Sequence, residues 1–255
     1  MLPGRQLPPR RGGFAVVDVE ATGRSPWRHR MVEVGVVLLD GQLRPEGEFS
    51  TLIDPVGPVG PTHVHHITQD DVVGAPRFRE LAPLLLDLLG GRVLVGHHVS
   101  CDRAFLEREF ARIGVPLPAV PALCTLRLAR AHLPGAGGYG LAACVETAGL
   151  GWYPAHTALG DARATADLLR HLAARAEWQA PLHEAAGLPW PRLGTAPSRR
   201  RTGELPVVRR EAVLGPWPQG VEVPTVLTAR STAPLPTAPP SAAPPAGPSV
   251  SGVRR

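Results

Sequence analysis

Residues 14–23 read FAVVDVEATG, an apolar, β-branched run that stops on two acids. Phe14–Val19 has the pattern of a buried strand. Residues i and i+2 of a strand project from the same face, so Asp18 and Glu20 point together. Two adjacent carboxylates repel, and a buried pair is costly without a cation. A strand that ends on such a pair predicts either acids left in solvent or a site that gathers positive charge.

Outward from this stretch, Met31–Leu39 (in MVEVGVVLLD) predicts a second strand and Glu48–Ile53 a third, with Asp40-Gly41 turning the chain between them as an antiparallel hairpin. Thr68 is placed to cap a short helix through Val73, and Phe78–Leu89 has helical spacing with Pro83 disturbing its first turn. RVLVG (Arg92–Gly96) predicts a fourth strand. Asp102–Ile113 follows as a helix with Phe105, Leu106, Phe110 and Ile113 on one side. Leu123–Leu133, Tyr139–Ala148 and Asp161–Ala174 complete the helices. Strands paired first as a hairpin and then alternating with helices predict an α/β domain, a mixed sheet with helices packed on it.

Near Leu188 the text changes to STAPLPTAPPSAAPPAGPSVSGVRR and its approaches, where proline is frequent and apolar periodicity fades. Such a segment buries too little apolar surface to offset the entropy of ordering it. We therefore expect a flexible N-terminus over 1–12, one domain over 13–187, and a largely disordered Pro/Arg-rich tail over 188–255, with Glu211–Thr228 as its least polar part.

The net charge of +5 belongs to that tail. Residues 1–185 hold 18 arginines against 19 acids, and residues 186–255 hold nine against three. The acidic motifs thus sit in a near-neutral domain. Lysine and asparagine are both absent, and since both use A-rich codons a GC-rich gene explains the arginine bias. No apolar run of about 18 residues predicts a membrane span, and MLPGRQLPPRRGGF lacks the apolar core of a secretory signal. Cys101, Cys124 and Cys144 are odd in number and scattered, which fits reduced thiols in the cytoplasm better than disulfides or zinc.

Three more chemical residues stand where apolar text meets a turn. Asp102 follows a strand in LVGHHVSCDRAFL, and His156 and Asp161 lie five apart in HTALGDARATADLL. Singly, each acid has a structural account as a helix cap or a first-turn charge. Converging on Asp18 and Glu20, they would form an oxygen-rich site suited to Mg²⁺ or Mn²⁺, the setting for phosphoryl transfer.

In this order the segments resemble the DEDDh class of 3′-5′ exonucleases, the family of the proofreading subunit of bacterial replicative polymerases. VDVEATG is similar to the first motif, VGHHVSCDRAFL to the second and HTALGDARAT to the third; VEVGVV, VHHIT and CTLRLAR add lesser matches. The resemblance covers roughly Gly13–Ala174 and implies a ribonuclease H-like fold. It implies that Asp18, Glu20, Asp102 and Asp161 hold two Mg²⁺ or Mn²⁺ ions. One ion would activate the attacking water and the other stabilise the leaving oxygen. It makes His156 the general base, a role suited to imidazole, whose ordinary pKa is about 6.5. Thr22, Gly23 and His98 become substrate contacts. The implied partner is nucleic acid with a free 3′ end, DNA favoured, with RNA or short oligonucleotides as the alternative. A polymerase or other protein could be held through the tail.

The sequence departs from the family at His98, where asparagine is usual, at Cys101, where phenylalanine is usual, and at Ala21. His98 and Cys101 motivate a second alternative, a catalytically weakened nucleic-acid-binding module. Arg24, Arg28, His29 and Arg30 read as a solvated loop or as phosphate contacts, and Trp27 as a stacking platform or as packing across that loop. His63, His65 and His66 fall in a family segment away from the metals, so zinc is not expected there.

Overall fold

The computed structural model describes residues 12–135, 137–174, 182–191, 208–211 and 230–234. Gly13–Ala21 (β1), Met31–Asp40 (β2) and Pro45–Leu52 (β3) form an antiparallel meander. Thr62–His65 (α1) and Phe78–Leu89 (α2) precede Arg92–Gly96 (β4), which pairs parallel to β1. Ser100–Arg112 (α3) leads to Ala122–Cys124 (β5), parallel to β4. Thr125–His132 (α4), Leu141–Thr147 (α5), Ala158–Ala173 (α6) and Leu182–Gly187 (α7) follow. The sheet order is β3-β2-β1-β4-β5, the mixed sheet expected.

Alternation along the central strands explains where the site falls. Ala15 and Val17 of β1, with Val34, Val36 and Leu38 of β2, face α2 and α3 in one apolar cluster. Phe14 and Val16, with Val37, Leu39, Val93 and Val95, face α6 in the other. Asp18 and Glu20 continue the row of Phe14 and Val16, so they emerge on the side of α6. In register, Asp18 lies opposite Gly35 and Glu20 opposite Glu33, with a bulge after Glu20.

The hairpin forms as expected: β2 and β3 pair antiparallel, and Asp40-Gly41 opens a turn that runs to Arg44. The Asp40 carboxylate accepts from the amides of Gln42 (2.8 Å) and Arg44 (2.9 Å), and Leu43 takes a left-handed φ of 62°. Other elements differ from expectation. Thr68 and Asp71 bond reciprocally as a cap would, but Gln69–Gly74 makes only turns, since Gly74 and Pro76 leave no length for a helix. Leu123 and Cys124 belong to β5, with Cys124 as the N-cap of α4. Asp102 is the third residue of α3 and Asp161 the fourth of α6, so neither is a cap.

The tail expectation lies largely outside the described residues, as does Glu211–Thr228 apart from Glu211. The described parts are residues 188–191, where Trp190 packs against the cluster of Ala15 and Leu94, and Val208–Glu211 (β6) with Arg230–Pro234 (β7), a parallel pair. Val208 exchanges hydrogen bonds between its backbone and the Thr51 hydroxyl, 3.2 and 3.3 Å, beside the β3 edge. Among the described residues no helix is long and apolar enough to cross a membrane.

Candidate active site

The N-terminus of α6 is seated on the sheet by three features of neighbouring strands and turns. Gly35 leaves room for it: a Cβ there would lie 2.3 Å from the carbonyl of Ala158 and 2.5 Å from the nitrogen of Leu159. Glu33, buried within a strand, accepts the Ala158 amide at 2.9 Å and so satisfies a donor that the helix leaves open. Thr157 caps the helix, its hydroxyl accepting from Gly160 (3.2 Å) while donating to the Pro154 carbonyl (2.7 Å). This seat brings Asp161 over β1.

Carboxylate oxygens of Asp18, Glu20 and Asp161 lie within 4.8 Å of one another. Asp102 stands outside this compact set. It arrives from α3, on the opposite face of the sheet, around the end of β4. There Gly96 makes way for it, since a Cβ would sit 3.0 Å from Asp102 Oδ2. Asp102 is nonetheless in electrostatic contact with both Asp18 and Asp161.

Burial drives the Asp18 carboxyl well above the ordinary range, and the charges of Asp161, Asp102, Glu20 and Glu33 add to it. Burial also pushes Asp102 up to about 7; backbone hydrogen bonds from Asp102 itself and Val19 oppose this, and Asp161 adds to it. So much crowded negative charge, offered by hard oxygen donors, fits a divalent cation of the Mg²⁺ or Mn²⁺ kind.

Asp161 is held from two further directions. Its Oδ2 accepts the backbone amide of His156 at 2.8 Å, with His156 in a left-handed conformation (φ 61°) and its side chain exposed. The Tyr153 hydroxyl donates to the Asp161 carboxylate, and desolvation, the charges of Asp161 and Asp18, and this bond all hold the phenol in its protonated form. Neither Tyr153 nor Glu33 was singled out as a site residue from the sequence. Glu33 had a signal, an acid inside an apolar strand that must find a buried partner. So had Gly35, because an isolated strand glycine marks close backbone approach. Tyr153 had none.

The expected substrate contacts line the end of β1. The Thr22 hydroxyl accepts the Arg30 amide (3.1 Å) and meets His29 Nδ1 (3.3 Å), so it closes the β1–β2 loop. Gly23 lies against the His29 ring, and a Cβ there would approach to 2.6 Å. Gly60, at φ 87°, passes over Thr22 where a Cβ would strike its backbone. His98 is exposed, in the left-handed region at φ 77°, with Cys101 Sγ 3.4 Å from its Nδ1. Asparagine and histidine both visit that region more readily than most residues, which explains how the substitution is accommodated. His65 is spent on structure: it bonds the Val59 carbonyl (3.2 Å) and the Ile67 amide (3.0 Å).

Carboxylates clustered at the end of the central strand β1, with a helix seated to complete them, make the setting of a cation-assisted phosphodiester hydrolase. The chain belongs to the exonuclease family (RNase_T), which it matches over residues 15–169. It is 34% identical over 160 residues to the DNA polymerase III subunit epsilon of Aquifex aeolicus, covering 62% of this chain and 78% of that protein. It is also 34% identical over 183 residues to a putative bifunctional exonuclease/endonuclease protein of Mycobacterium tuberculosis, covering 68% of this chain but 28% of that one. Among solved structures, one of exonuclease I superposes with a TM-score of 0.59 at 18% identity, over 65% of this chain and 41% of its own. Escherichia coli exonuclease I in complex with a dT13 oligonucleotide gives 0.56 at 16%. The fold is thus the ribonuclease H-like exonuclease fold.

Proposed function

We propose that this protein removes nucleoside 5′-monophosphates one at a time from the 3′ ends of single-stranded or frayed DNA, in the cytoplasm. The observation that carries this is the convergence of Asp18, Glu20 and Asp161 within 4.8 Å, with Asp102 in electrostatic contact. The likeness to the Aquifex epsilon subunit favours DNA. The three free cysteines suit a reducing compartment.

Asp18, Glu20, Asp102 and Asp161 would hold two Mg²⁺ or Mn²⁺ ions, whose charge activates water and stabilises the leaving oxygen. The chain's own residues orient and move the proton. His156, exposed on the loop before α6, takes the proton of the attacking water; its backbone bond to Asp161 fixes that loop relative to the carboxylates. Tyr153 restrains the other side of Asp161. Thr22 and Gly23 form the floor for the terminal nucleotide and His98 its rim.

The test is digestion of 5′-labelled single-stranded DNA and RNA of equal sequence with Mg²⁺, Mn²⁺ or EDTA. Stepwise laddering of DNA that EDTA abolishes is expected; laddering that survives EDTA would sink the cation requirement. Faster loss of RNA would move the substrate to RNA. Asp18→Ala must fold and lose activity, and His156→Ala must slow turnover by roughly 10²–10⁴-fold, the usual range for a lost general base.

A further inference from the structure

Trp27 is the most exposed tryptophan among the described residues, 70% accessible, yet its ring and its backbone both have partners on α3. The Arg108 guanidinium of α3 lies 3.4 Å from its ring centroid. That guanidinium has a buried Nε with no hydrogen-bond partner, so the ring face takes the place of an acceptor. Arg112 donates to the carbonyls of Pro26 (2.7 Å) and Trp27 (3.2 Å). Arg30 grips buried Glu109 through two bonds, 2.7 and 3.0 Å.

A loop needs no such scaffold to leave an apolar ring in water. Side chains fixed before binding lose less entropy when a ligand arrives, so the scaffold favours a binding platform. Its place and charge identify the ligand. The loop springs directly from β1 beyond Glu20 and is closed by Thr22 N–H to the Arg30 carbonyl, 2.9 Å. Exposed Arg24 and Arg28 flank Trp27. An exposed aromatic face and two exposed arginines on one loop, which leaves the end of the strand that carries Asp18 and Glu20, suit a strand of stacked bases joined by phosphates.

We propose that Trp27, backed by Arg108 on one face, stacks its open face on a base of the single-stranded substrate upstream of the cleaved 3′ nucleotide. Arg24 and Arg28 meet the neighbouring phosphates. This rests on the nucleic-acid reading of the carboxylate site. Stacking engages the π-face common to all bases, so it gives grip without sequence preference.

The test uses the full chain in EDTA, where no cleavage is expected, and reads fluorescence anisotropy of a labelled oligodeoxythymidine of about 12 nucleotides. Trp27→Ala should weaken binding roughly tenfold and Trp27→Phe by less, with both variants still melting cooperatively as folded proteins. Abasic sites are then placed one at a time. At one position the wild type should lose as much as Trp27→Ala loses, and the variant should lose nothing more there. Equal affinity of wild type and Trp27→Ala would overturn the proposal, as would a wild type that does not bind. So would a change in oligomeric state by Trp27→Ala with binding intact, since the ring would then serve a protein contact. The two readings separate cleanly. Trp27-dependent binding without any laddering in Mg²⁺ or Mn²⁺ fails the nuclease, whereas laddering with Trp27-independent binding fails only the platform.

Discussion

In Asp18, burial and the crowding of four carboxylates act in the same direction, and both favour the proton. Asp102 shares this with a value of about 7 against 3.8 for a free carboxyl. A folded pKa above the unfolded one means the native state binds the proton more tightly. Stability from that proton is complete below the unfolded value and is lost as pH rises through the folded one. Cation-free protein should therefore melt lower as pH climbs from 4 through 7, and Mg²⁺ or Mn²⁺ should restore it most at the alkaline end. Thermal melts against pH with and without cation check this; a cation-free melt that rises across that interval contradicts the buried carboxylates. By the same logic Asp18→Asn should abolish cleavage while leaving the cation-free melt at pH 8 unchanged or higher. Tyr153→Phe removes one donor to Asp161. A hydrogen bond to a charged group contributes about 1.5–3 kcal/mol, so we expect kcat to fall roughly tenfold or more with the fold intact. An unchanged kcat would show that Tyr153 does not position Asp161.

At the scale of elements, the seat of α6 decides whether the acids meet. Gly35→Ala would force a methyl into the backbone of Ala158 and Leu159. Overpacking of this kind costs about 1–3 kcal/mol, and displacement of Asp161 should reduce activity further than the melt alone implies. Glu33→Gln keeps an acceptor for the Ala158 amide and should be milder than Glu33→Ala, in both melting temperature and kcat. The hairpin, β4 and α2 were legible because their apolar period is long enough to speak for itself. β5 was not: Ala122–Cys124 has three residues, and its strand geometry comes from pairing with β4. Thr68 shows the converse, a correct capping pair with no helix behind it. The site's motifs were visible as acids at boundaries; their roles came from resemblance, while Glu33 acts through Ala158, distant in the chain, and Tyr153 through Asp161 once the loop before α6 has folded back.

At the scale of the whole molecule, the apolar body does not stop at the end of α7. Trp190 packs against the cluster that holds Ala15 and Leu94, and Val208 is tied to Thr51 beside the β3 edge. A chain ended after Leu188 should therefore melt lower than one ended after Pro191, on a scale of about 2–4 °C per kcal/mol lost. Coincident melts would mean that Trp190 adds nothing. The sequence by itself determined which strands bury both faces, that Asp18 and Glu20 share one face, and that acids stand at the mouths of α3 and α6; these follow from local period and boundary chemistry. Only the tertiary structure decided that Asp161 descends on β1 from one face while Asp102 comes around the sheet end from the other. It also decided that Glu33 and Gly35 prepare that approach and that α3 presents Trp27 to solvent. Long-range packing governs these contacts, because the partners are joined by steric fit and charge, which no spacing along a chain encodes.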